Sequence, residues 1–172
     1  MLRFHNYDIV FQEVPGEVTL AFNLTNCPNR CAGCHSPHLT EDTGEVLDER
    51  ILSGLLEKYG SSITCVCFMG GDAAPHEVAQ LSVFLRETTQ SRLKTAWYSG
   101  KQQLPENIPA HHFDYIKLGP YIEHLGGLDN ADTNQRFYRV EQNIMIDTTR
   151  ESFQKQTRPT TAPSQEPYNI VV

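Results

Sequence analysis

The residues Ile63-Thr-Cys-Val-Cys-Phe-Met69 form an apolar run that stops abruptly at Gly70-Gly71-Asp72. A run of strand length without polar alternation is expected for a strand buried on both faces, the kind found in parallel sheets covered by helices. The neighbouring segments fit the same plan. Val18–Thr25, Leu93–Tyr98 and Tyr115–Leu118 are further runs rich in strand formers. Between them, Asp48 is placed to cap a helix in which Ile51, Leu52, Leu55, Leu56 and Tyr59 recur at helical spacing and Gly60 closes the end. Pro75 can open a second helix, with Val78, Leu81, Phe84 and Leu85 as its buried stripe. Tyr7–Gln12 is expected as a first strand, and Phe137–Val140 with Ile144–Ile146 as a last hairpin around Gln142-Asn143.

Strands alternating with helices imply βα units and a parallel sheet. A complete eight-unit barrel takes ~250 residues, and this chain has 172. The expected fold class is therefore α/β, a truncated, open (β/α) partial barrel over residues 1–149. Residues 150–172 are rich in Thr, Gln, Ser and Pro and read as a flexible polar tail. Ligands of such sheets sit at the carboxyl ends of the strands. Each unusual segment follows an expected strand: the cysteine-rich loop after Thr25, Gly70-Gly71-Asp72, Ser99-Gly100 and Gly119-Pro120. They should meet on one rim.

Composition narrows the function classes. The net charge is −7 with Lys and Arg scattered, which offers no basic footprint for nucleic acid. The mean hydropathy is −0.43, and no stretch approaches the ~20 apolar residues of a membrane span. The N-terminus lacks the apolar core of a secretory signal, so the expected location is the cytoplasm.

Of the five cysteines, three lie in Asn26-Cys-Pro-Asn-Arg-Cys-Ala-Gly-Cys-His35, spaced Cys-x3-Cys-x2-Cys. In a reducing compartment a close set of this kind points to metal or redox use rather than disulfides. Cys27, Cys31 and Cys34 can ligate three corners of a four-iron, four-sulfur (4Fe-4S) cluster. Such a cluster normally takes four cysteines, so the fourth iron would stay open for a small cosubstrate. The competing assignment is structural zinc, with His38 completing a Cys3His set. Cys65 and Cys67 share one face of the apolar run and read as core residues, with a fourth-ligand role as the alternative.

The cysteine spacing, followed after the next barrel strand by Gly70-Gly71-Asp72, resembles the radical S-adenosylmethionine (SAM) superfamily, and the partial barrel is the fold that resemblance implies. It further implies that SAM chelates the open iron and is cleaved reductively, giving a radical that removes a hydrogen atom from the target. The resemblance places Gly33, Cys34, His35, Gly70, Gly71, Asp72 and Ser99 along SAM. Gly71 would let the backbone approach the methionine end, and Asp72 would help to accept its ammonium protons. An ordinary tight turn is the plainer reading of Gly70-Gly71, and a surface histidine that of His35. Gly33 stands where many members carry an aromatic residue, and Asp72 where Glu is commoner.

The chain length, Tyr98-Ser-Gly100, Gly119-Pro-Tyr121 and Asn134-Gln-Arg136 resemble one branch of that superfamily, the activating proteins of anaerobic ribonucleoside-triphosphate reductase. That resemblance implies a glycyl-radical reductase as partner and a low-potential electron donor such as flavodoxin or ferredoxin. The alternatives are an activase of another glycyl-radical enzyme, such as pyruvate formate-lyase, and a zinc-stabilised interaction module without catalysis.

Overall fold

The unalternating run lies in the middle of a sheet, as its composition requires. The computed structural model describes residues 1–154. In chain order its elements are β1 (Arg3–Val10), β2 (Thr19–Leu24), β3 (Glu45–Val46), α1 (Glu49–Tyr59), β4 (Cys65–Met69), α2 (Pro75–Thr88), β5 (Lys94–Tyr98), β6 (Tyr115–Leu118), β7 (Arg136–Glu141), β8 (Ile144–Asp147) and α3 (Thr149–Phe153). The strands form one eight-stranded sheet in the order β3-β1-β2-β4-β5-β6-β7-β8. The central strands β2, β4, β5 and β6 run parallel, and the outer pairs are antiparallel.

This architecture corrects the expected truncated (β/α) partial barrel. The molecule is a mixed, open sheet with only three short helices among the described residues. Helices occupy the β2–β4 and β4–β5 crossovers alone. The β5–β6 connection holds Pro105 and Pro109 and no apolar stripe at helical spacing, so it forms a loop with a single 3-10 turn at Ala110–His112. At the edges, β1 and the β7–β8 hairpin satisfy their backbone groups by antiparallel pairing, which needs no crossover helix.

Local signals act where they were expected. The Asp48 carboxylate accepts from the Ile51 N–H at 2.8 Å, and Pro75 opens α2. Gln142 and Asn143 both take left-handed φ, 48° and 69°, as a two-residue hairpin turn requires. Three elements differ from expectation. β1 starts four residues earlier than Tyr7, at Arg3. β3 has only two residues. The helix α3 crosses the expected boundary at 149/150, with the Phe153 ring edge-on to Phe137 at 5.0 Å. The rest of the expected tail, 155–172, lies outside the described residues.

Alternation along the strands separates two cores. Leu20, Phe22, Val66, Phe68, Trp97 and Ile116 face α1 and α2, packing on Leu52, Val78, Leu81 and Leu85. The other face carries small residues, Ala21, Cys65, Cys67 and Ala96, with Val14 and Phe137 filling the space over them. Burial pushes the Cys65 and Cys67 thiols far up, so both stay protonated.

A polar clasp lies at the amino ends of the parallel strands. Glu17, only 8% exposed, accepts from Lys94 Nζ at 2.5 Å, Tyr115 Oη at 2.9 Å and Thr64 Oγ1 at 2.6 Å. Burial raises this carboxyl, but the bonds from Lys94, Thr64 and Tyr115 outweigh it and leave Glu17 below its ordinary value. A carboxylate depressed in the fold adds stability that is complete above the ordinary value of 4.5 and is lost as pH falls through the depressed one. Glu17→Gln should therefore cost about 2 kcal/mol near neutral pH. In urea titrations across pH 2–7, the gap to wild type should stay constant above the ordinary value of 4.5 and close as pH falls below it; a pH-independent gap would contradict this account of Glu17.

Candidate functional site

The carboxyl ends of the parallel strands gather the unusual segments. Beyond β2, the chain turns at Asn26 and Arg30, both at left-handed φ (58° and 46°). It is held by Asn26 N–H to the Glu41 carbonyl and Cys27 N–H to the Leu39 carbonyl, each at 2.9 Å. This fold-back brings Cys27, Cys31 and Cys34 around one cavity of about 450 Å³, walled also by Leu24, Met69, Gly70 and Tyr98. The volume falls within the range of small-ligand pockets. All three thiols are free and partly buried, and Cys34 Sγ accepts from the Ser36 N–H at 3.4 Å.

Three soft thiolates on one cavity wall match the donor set of an iron–sulfur cluster. Among the described residues, no three His, Cys, Asp or Glu side chains converge as they would on a single ion. One tetrahedral zinc draws its thiolates to about 4 Å of each other, given Zn–S bonds of about 2.3 Å. The fit of a cluster to this loop rests on the donor type and on the cavity that the three cysteines share. His38, the fourth zinc ligand considered above, packs instead on His5, with ring centroids 5.0 Å apart.

The turn after β4 contributes in two different ways. Gly70 lines the cavity, and its carbonyl accepts from the Trp97 indole N–H at 2.8 Å. Gly71 is buried and turned away from the cavity. A Cβ there would stand 2.6 Å from Val78 Cγ2 and 2.9 Å from Leu24 Cδ1, at a φ of +85°. Core packing and backbone conformation thus require glycine at 71, whereas the sequence suggested an approach to ligand. Asp72 is a hub: Oδ1 accepts from Ser99 Oγ at 2.5 Å, and Oδ2 from Gly100 N–H at 2.8 Å and Asn29 Nδ2 at 2.5 Å. Ser99 is therefore beside the site, bound to Asp72.

Gly33 and His35 are exposed and do not line the cavity. A Cβ at Gly33 would come 3.0 Å from the Glu123 carboxyl carbon at a φ of +72°, so the aromatic residue of the superfamily pattern would need a strained backbone and a shift of the Glu123 side chain there. The His35 ring packs on Tyr121, centroids 5.0 Å apart. Two of the three branch-like motifs touch: Asn134 Nδ2 donates to the Pro120 carbonyl at 2.9 Å.

Two residues escaped the sequence reading. Asn29 joins the cysteine loop to Asp72, and nothing in its type or spacing announced that. Lys117 is 9% exposed and donates to the Gly119 carbonyl at 2.7 Å. Burial pushes it down to about 8, against the opposing pull of Asp72 and Cys31. Its signal was present: a charge in the strand Tyr115-Ile-Lys-Leu118, on the same face as Tyr115 by period-two alternation.

No helix among the described residues is long and apolar enough to cross a membrane. Comparison of the chain with family models, with curated proteins and with solved structures gave no match.

Proposed function

We propose that this chain is a cytoplasmic radical-SAM activase that generates a glycyl radical on an anaerobic ribonucleoside-triphosphate reductase. The observation carrying the reading is the shared cavity of Cys27, Cys31 and Cys34, walled by Gly70, with Asp72 hydrogen-bonded to the cysteine loop. In this reading the three thiolates hold a 4Fe-4S cluster and leave one iron for SAM. The group supplies one electron at low potential for splitting a carbon–sulfur bond of SAM. The chain's own residues bind and orient. Asp72 has four acceptor positions, of which three are filled by the protein, leaving one for an ammonium proton. Gly70, Met69 and Tyr98 wall the space beside the three cysteines. The electron would come from a flavodoxin or ferredoxin.

The reading is tested by mixing the anaerobically reconstituted protein with SAM, a low-potential reductant and the reductase of the same cell. An organic radical should appear, its paramagnetic doublet collapsing when glycine α-hydrogen is replaced by deuterium. Nucleotide reduction should start only after it. A pyruvate formate-lyase treated in parallel should stay inactive; if the lyase alone gains the radical, the partner is wrong. A colourless protein that binds zinc and no iron would remove the reading altogether.

A further inference from the structure

Asn29 occupies the stretch between the first two cysteines, half-buried, with its carboxamide turned inward. Its Nδ2 lies 3.8 Å from Cys27 Sγ and 2.5 Å from Asp72 Oδ2. A carboxamide nitrogen carries two protons, so both acceptors are served by one group. The space for it is made by another residue. A Cβ on Gly100 would stand 2.3 Å from Asn29 Nδ2 and 3.0 Å from its Cγ. Gly100 is not among the glycines held at left-handed φ, so its missing side chain serves this contact rather than the backbone conformation.

We infer that Asn29 is a positioning residue joining the cluster to the cosubstrate site, one amide proton on a cluster thiolate and the other on the carboxylate offered to the cosubstrate's ammonium group. This rests on the function proposed above and adds a link that the cysteine pattern does not contain. An N–H directed at a ligating sulfur stabilises the reduced, more negative cluster and so raises its potential. The same amide fixes Asp72 against the loop. Occupation of Asp72 by a cation is thereby felt at Cys27, and the electronic state of the thiolate is felt at Asp72.

Two variants remove this link by different routes. Asn29→Ala deletes the amide, and Gly100→Ala pushes it aside with an unstrained methyl group. Each is reconstituted anaerobically, and its cluster potential is read by redox titration with paramagnetic detection, before SAM is added. Both potentials should fall below wild type, and SAM affinity measured by equilibrium binding should weaken about tenfold in both. Iron content and thermal midpoint should stay at wild-type values, which separates the effect from misfolding. Wild-type potentials in both variants overturn the inference, and so does a shift in only one, since both changes displace the same amide. A wild-type chain that assembles no cluster overturns the proposed function itself, and this inference with it.

Discussion

Cys31→Ala is expected to yield a folded, colourless protein, its iron falling from roughly four atoms per chain to near zero. The thiol is partly exposed and lines a cavity rather than a packed core, so its loss should move stability by no more than about 0.5 kcal/mol. Cys27→Ala and Cys34→Ala should behave alike. The contrast is Cys67→Ala. That side chain is fully buried among Val14, Ala21, Ala96 and Phe137, and burial holds its thiol protonated, which is the wrong state for ligation. Its removal should leave iron in place and cost roughly 1–2 kcal/mol through the cavity created. Iron analysis beside thermal melts of the four variants makes the comparison. Loss of iron in Cys67→Ala as complete as in Cys31→Ala would mean that the ligand set extends into the sheet.

Gly71→Val should be the most damaging single change to the fold. A β-branched side chain would have to adopt a φ of +85° and drive its Cβ into Val78 and Leu24. The backbone strain is worth about 1–2 kcal/mol and overpacking about 1–3 kcal/mol, in a domain whose whole stability is typically about 5–15 kcal/mol. A fall of roughly 10 °C in thermal midpoint follows. Gly70→Ala provides the scale, since its nearest obstacle is the Leu24 carbonyl oxygen at 3.3 Å, and it should melt several degrees above Gly71→Val. If Gly71→Val melts with wild type and loses only SAM binding, the glycine serves the ligand after all.

The difference between those two glycines shows where sequence reading stops. The helices were legible because their signals are local: Asp48 caps within three residues, Pro75 fixes the first turn, and the stripes on α1 and α2 repeat at one period. Among the parallel strands, β4 was legible as an unbroken apolar run and β2, β5 and β6 as short segments rich in strand formers. Closure was not legible, because it depends on whether each crossover builds a helix and on how the outer strands pair. Pro105 and Pro109 mark the β5–β6 connection as a loop, but a loop does not by itself say how the outer strands pair. At the site, the cysteine spacing marked the loop, and Gly70-Gly71-Asp72 marked the turn. What ties them together is Asn29, and its bond to Asp72 spans 43 residues. No periodicity or spacing encodes such a contact; only the register of β2 beside β4 creates it.

Trp97 is the only tryptophan of the chain. It is 1% exposed, with its ring centroid 5.4 Å from that of Phe113 and its indole proton on the Gly70 carbonyl. The emission of this single fluorophore is therefore wired to the wall of the cavity by one hydrogen bond. Excitation at the red edge of its absorption band selects it cleanly from the tyrosines. A ligand that shifts the Gly70 peptide changes the local field at the indole, and the protein carries its own optical reporter of occupancy, needing neither label nor turnover.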